Sequence, residues 1–224
     1  MSAQPPDTKN DWFDPAVAAY VAAHTTQPDE VLRDLRDETL SALPDRALMQ
    51  VSADQGALLT LLTGLTDATF AVELGTFTGY SAISIARGLR AGGKLLCCDV
   101  NEEFTAVARR AWERAGVADR IELRIAPAIE TLQSLPPDEH IDLAFIDADK
   151  PSYAAYWDEL APRLKPGGLL LVDNTLWSGR VADPEADDAT VVVMREFNDK
   201  VAADDRMLSY ILPVADGLTI ARKR

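Results

Sequence analysis

From Thr69 onward the chain alternates short apolar runs with stretches of helical periodicity, and this alternation narrows the possible folds more than any other feature. TFAVEL precedes YSAISIARGL, KLLCCDV precedes EEFTAVARRAWERAG, and RIELRI precedes PAIETLQSL; IDLAFID, SYAAYWDELAPRL and GGLLLVD continue the series. Short runs rich in apolar residues suit strands buried on both faces, and a helix between consecutive strands lets them lie parallel. A polar loop, SGRVADPEADD, and a helix over 191–203 follow. MLSYILP and DGLTIARK, little more than a turn apart, read as a closing hairpin. The expected class is α/β.

The N-terminal third reads as helical. Apolar positions three and four apart mark helices over 11–24 and 28–43, and Ser52 is placed to N-cap SADQGALLTLLTGL, which ends near Gly64. The first residues, MSAQPPDTKND, read as a short loose arm without the basic start and apolar stretch of a secretory signal. Residues 1–64 are thus expected to form a helical cap on a core of 65–224, within the single domain that 224 residues suit.

Charge limits the partners. A net charge of −14 and a pI near 4.5 count against nucleic acid, whose phosphates need a basic face. No apolar run approaches the roughly 18 residues of a membrane span. Cys97 and Cys98 are adjacent in one apolar run, so they point to opposite faces, which excludes a zinc spacing and predicts buried, reduced thiols. A cytoplasmic protein is expected.

Open parallel sheets bind ligands beyond the carboxyl ends of their strands. Glu73, Asp99, Asp147 and Asp173 all lie at such ends, so one cleft collects their carboxylates. The turn after the first strand is ELGTFTGYS. A dinucleotide site wants a second glycine where the pyrophosphate approaches, and Thr76–Phe77 stand there instead. The Glu73 carboxylate before Gly75 suits a cation, and Asp99 is placed to accept hydrogen bonds from ribose hydroxyls. An adenosine with a positive tail and no phosphate is S-adenosylmethionine. A tight strand–helix turn without a ligand explains the two glycines alone, but not Asp99.

Asp147, Asp173 and Asn174 offer only oxygen donors, which hard cations prefer: Mg²⁺ first, Mn²⁺ or Ca²⁺ as alternatives. Taken singly, Asp147 also suits a helix cap and Asp173–Asn174 a turn. Lys150, three residues past Asp147, makes the joint reading the stronger one. A lysine beside a divalent cation and partly out of water gives up its proton more readily than a surface one, which suits a general base.

With these motifs in order, the chain resembles the cation-dependent class I O-methyltransferases, typified by caffeoyl-CoA and catechol O-methyltransferases. MQVSADQG, ELGTFTGYSAISIA, FIDADKPSY, VDNTLWSG and DGLTIARK carry the resemblance over nearly the whole chain. It implies a Rossmann-like fold: a seven-stranded, mostly parallel sheet in the order 3-2-1-4-5-7-6 with only strand 7 antiparallel, helices on both faces, and extra N-terminal helices. It also implies a homodimer. By position, Val51, Glu73, Gly75, Thr76, Ser81, Asp99, Ala128, Asp147 and Asp149 match contacts to S-adenosylmethionine. Asp147, Asp173 and Asn174 resemble the metal ligands, and Lys150 the catalytic lysine. Trp177 is placed to wall the aromatic pocket.

Ser178 stands where the plant enzymes carry an asparagine that helps place the phenolic ring, and PPDTKND offers only Lys9 to a CoA tail. The expected substrate is therefore a free catechol-type aromatic with vicinal hydroxyls, methylated on one oxygen. Two alternatives stay open: a tRNA hydroxyuridine O-methyltransferase of the same fold, and a binding relative that has lost catalysis.

Overall fold

The structure, a computed structural model, describes residues 14–224. The expected N-terminal arm and the first residues of the expected 11–24 helix lie outside the described residues. Three helices open the described chain: α1 (Pro15–His24), α2 (Glu30–Ala42) and α3 (Ala53–Leu65), with a 3-10 turn over Pro44–Met49 between the last two. Asp29 caps α2 by accepting from Leu32 N–H at 3.1 Å, and Leu32, Leu35 and Thr39 form its buried face. Ser52 occupies the N-cap position of α3 as expected. Its hydroxyl, however, donates to Asp54 Oδ1 at 2.5 Å instead of capping the helix backbone.

The alternating section forms as its periodicity predicts: β1 (Phe70–Leu74), α4 (Tyr80–Gly88), β2 (Lys94–Asp99), α5 (Glu102–Arg114), β3 (Ile121–Ile125), α6 (Ala128–Ser134), β4 (Ile141–Ile146), α7 (Tyr153–Arg163) and β5 (Leu164–Val172). α8 (Ala189–Ala202) and the hairpin β6 (Met207–Leu212) and β7 (Leu218–Lys223) close the chain. α5 shows the local logic. Asn101 accepts from Phe104 N–H at 2.9 Å, Glu102 and Glu103 face the positive helix end, and Ala108, Ala111 and Trp112 are buried.

The sheet has seven strands in the order β3-β2-β1-β4-β5-β7-β6, with β7 antiparallel to both neighbours. This is the Rossmann-like strand order that the sequence resemblance implies. Each inner strand is buried on both sides, so the sheet separates two apolar layers. Cys97 and Cys98 fall on opposite faces, both buried and both free thiols. The chain order reverses direction across the sheet between β1 and β4, and a crevice opens there beyond the strand ends.

Candidate functional site

The crevice is a cleft of about 650 Å³. Of the residues singled out in the sequence, Val51, Gly75, Thr76, Ser81, Asp99, Ala128, Asp147, Asp149, Lys150, Asp173, Asn174 and Trp177 line it. Glu73 and Ser178 do not. Glu73 is wholly buried behind the wall, and Ser178 faces outward with its N–H donated to Asp216 Oδ1.

One half of the cleft is built by the turns after β1 and β2. Gly75 has φ +86°, and a Cβ there would stand 1.9 Å from the Asp147 carbonyl oxygen, so only glycine lets β1 and β4 turn side by side. Gly79 has φ +89° and lies against Trp112 and Ala108 of α5. Asp99 Oδ2 accepts from Thr76 N–H at 2.9 Å and Phe77 N–H at 2.8 Å, while Oδ1 accepts from Asn101 N–H at 2.8 Å. The carboxylate is thereby held rigid: Oδ2 is filled by two N–H donors, and Oδ1 keeps a lone pair for a ribose hydroxyl.

Behind this turn, burial raises the Glu73 carboxyl to about 8, and the nearby Asp147 and Asp99 charges add to it. The Ser81 and Cys97 side chains pull it the other way. Cys97 Sγ donates to Glu73 Oε2 at 3.2 Å, whereas Oε1 and the Thr76 hydroxyl are buried without a hydrogen-bond partner. Orphaned oxygens of this kind are rare unless a ligand completes them. The unsatisfied Thr76 hydroxyl in the cleft lining and the rigid Asp99 acid fit a cofactor carrying a ribose, and so fit S-adenosylmethionine; Glu73, behind the wall, does not face the cleft as the sequence predicts.

The other half is built by the turns after β4 and β5. Ile146 and Val172 are paired, and Asp173 N–H donates to the Ile146 carbonyl at 2.9 Å, which sets Asp147 and Asp173 side by side. Burial raises Asp173 to about 7 and the Asp147 charge adds to this, while the Gln55 amide, Asn174 N–H and Lys150 oppose it. Asn174 N–H donates to Asp173 Oδ1 at 2.8 Å. Lys150 Nζ donates to Asp147 Oδ1 at 3.2 Å and to the Ala148 carbonyl at 3.0 Å, and its side chain is 13% exposed. It also lies 5.0 Å from the Tyr153 ring centroid and 6.0 Å from that of Trp177. Among the described residues no three His, Cys, Asp or Glu side chains cluster as a metal site; the donor set is two aspartates and an asparagine. All are oxygen donors, one is a wholly buried acid, and the set fits a hard cation.

Backbone strain collects here. Asn174, Trp177 and Ser178 have φ of 62°, 46° and 52°, and Phe77 across the cleft has 50°. Such conformations cost free energy outside glycine and cluster at functional sites.

Several residues in the cleft or buried beside it escape sequence reasoning. Arg46, Leu48 and Met49 of the 3-10 turn overhang the mouth, with Arg46 5.3 Å from the Phe104 ring centroid. Tyr156 donates to Asp149 Oδ1 at 2.6 Å. Gln55, wholly buried beside Asp173, had one signal: a polar residue inside a helix whose neighbouring turns are apolar.

Comparison with known proteins agrees with this geometry. The chain is 34% identical to the probable caffeoyl-CoA O-methyltransferase 2 of Dictyostelium discoideum, over 94% of this chain and 93% of the relative. The O-methyltransferase from Bacillus cereus, solved in complex with SAH, superposes with a TM-score of 0.83 at 32% identity, covering 93% of this chain and 97% of that one. TomG from Streptomyces achromogenes, involved in tomaymycin synthesis and solved in complex with SAM, gives 0.82 at 31% identity, covering 93% and 96%. A model of the family described as O-methyltransferase matches residues 22–224. With nearly all of its length matched and a cleft suited to the same cofactor, this chain belongs to the O-methyltransferase family and is an S-adenosylmethionine-dependent enzyme.

Proposed function

We propose that the protein transfers a methyl group to one hydroxyl of a small aromatic compound with vicinal hydroxyls, with a divalent cation at Asp147, Asp173 and Asn174 and with Lys150 as general base. The observation that carries this is the side-by-side placement of the two aspartates, with Lys150 on Asp147 and Trp177 next to Lys150. The cofactor supplies an electrophilic methyl group held on sulfur. A divalent cation, when bound, acidifies an attached hydroxyl and orients neighbouring oxygens.

The chain's own residues do the rest. Asp99 and Thr76 hold the cofactor in the first half of the cleft, and Trp177 offers an apolar face to a ring. Lys150 as the free amine accepts the hydroxyl proton and becomes the ammonium; the oxygen bonds to the methyl carbon as the carbon–sulfur bond breaks. Holding both reactants in line lowers the barrier by removing the entropy of encounter. A cleft of about 650 Å³ has room for a cofactor and a small substrate together. The cleft lining carries two basic side chains, Arg46 and Lys150, too few to hold a nucleic-acid backbone. Val17, Tyr20 and Val21 of α1 and Leu208 and Tyr210 of β6 are exposed apolar side chains, which a second copy in a homodimer would cover.

The test is turnover of catechols with Mg²⁺ and with chelator. Chelator abolishes activity and Mg²⁺ restores it; Asp173→Ala loses the metal response yet binds S-adenosylhomocysteine nearly as well as the parent. Full activity under chelation would end this reading.

A further inference from the structure

Gln55 lies on α3 and has no exposed surface. Neither end of its amide makes a hydrogen bond of normal geometry within the protein. An amide carries two donor hydrogens and a carbonyl acceptor, and burying all of them unpaired is costly and rare in folded proteins. The helix that carries it is not free to move the side chain elsewhere. Thr60 Oγ1 donates to the Ser84 carbonyl at 2.9 Å, tying α3 to α4, and a Cβ on Gly56 would meet the Tyr80 ring at 2.6 Å. Gln55 is therefore held beside the Asp173 carboxyl, near enough to pull its pKa down but without a hydrogen bond of normal geometry.

Asp173 itself is fastened on its other sides. Asn174 N–H holds Oδ1, and Tyr153 donates its hydroxyl to the Asp173 carbonyl at 3.2 Å. The buried amide of Gln55 is a neighbouring group that keeps unspent hydrogen-bonding capacity. We propose that Gln55 is a positioning residue of the cation site, whose side-chain amide donates to the Asp173 carboxylate when a divalent cation binds and fixes how that carboxylate faces the cation. The inference rests on the proposed cation site and adds a determinant of its affinity that does not itself touch the metal. Partners that orient metal-binding carboxylates in this way change metal affinity by about 10–100-fold when removed.

The test is titration of the purified full-length protein with Mn²⁺, followed by calorimetry and by the paramagnetic signal of the free ion. Gln55→Met keeps an unbranched side chain of similar length and removes both polar ends. It weakens Mn²⁺ binding about tenfold or more, while affinity for S-adenosylhomocysteine stays near that of the parent. A purely structural role would lower the melting temperature, or weaken both ligands together, without this selectivity. Selective ¹⁵N labelling of glutamine in the wild-type protein gives a readout that needs no variant: the Gln55 side-chain amide resonances move on adding Mg²⁺. Parent-like Mn²⁺ affinity in Gln55→Met, or a Gln55 amide that ignores Mg²⁺ in a protein that binds it, overturns the inference alone. Absence of Mn²⁺ binding to the wild-type protein overturns the cation site and this inference with it.

Discussion

At the scale of single residues, the cleft sorts similar side chains by their surroundings. Asp147 and Asp173 leave paired strands together, yet Asp147 meets the Lys150 ammonium at 3.2 Å whereas Asp173, buried at the floor of the cleft, is pushed up to about 7, first by burial. Lys150 decides between two roles. If it only balances Asp147, arginine keeps the charge and Lys150→Arg is nearly silent. If it takes the substrate proton, arginine fails, because a guanidinium stays protonated up to a pH of about 12 or more. We expect Lys150→Arg to lower kcat roughly a hundredfold, the scale of a lost general base, with cofactor affinity little changed. A nitrocatechol, which arrives partly ionised, should lose less. A parent-like rate in the arginine variant would refute the base role.

Among the elements, the segment after β5 is the most demanding. It carries Asn174 and Trp177 through left-handed conformations and then runs over Trp177–Ala182 as 3-10 structure broken by a kink at Ser178–Gly179. What holds it is Arg195 of α8. Its Nε donates to the Val181 carbonyl at 2.9 Å, NH1 to Ala186 at 2.9 Å, and NH2 to Arg180 at 3.2 Å and to Asp183. One guanidinium, rigid and always charged, thus gathers four carbonyls of this segment, two of which, those of Arg180 and Asp183, also accept a backbone N–H. Arg195→Met should destabilise the protein by about 1–3 kcal/mol, the range for lost hydrogen bonds to a charged group. Because the loop carries Trp177, the substrate KM should rise several-fold, while S-adenosylhomocysteine binding, served by the β1 and β2 turns, holds. Thermal melts and steady-state kinetics check both, and an unchanged KM would separate the loop from substrate binding.

For the whole molecule, the buried acids tie stability to pH. Glu73 titrates near 8 in the folded protein against 4.5 for a free carboxyl, and Asp173 near 7 against 3.8, so the folded state holds more protons than the unfolded one between those values. Stability of the ligand-free protein therefore falls as pH rises through this window and levels off above it. Glu73→Gln, neutral at every pH, should flatten part of the fall in melting temperature between about pH 5 and 8. A slope identical to the parent's would show that Glu73 is ionised in the fold. The strands of the α/β core and the hairpin were legible because the repeat of buried strand and amphipathic helix is written in local sequence, and the residues of the β1, β2, β4 and β5 turns stood out because strand ends are where such sheets bind ligands. The strand order came from resemblance to a family, since apolar runs do not say which neighbours pair. Local pattern sufficed for the strands and for the acids at their ends. Long-range packing alone seals Glu73 behind the wall, turns Ser178 outward, and brings Gln55 of α3 to Asp173 at the end of β5. Burial and contact depend on which distant segments pack together, and no local pattern encodes those partners.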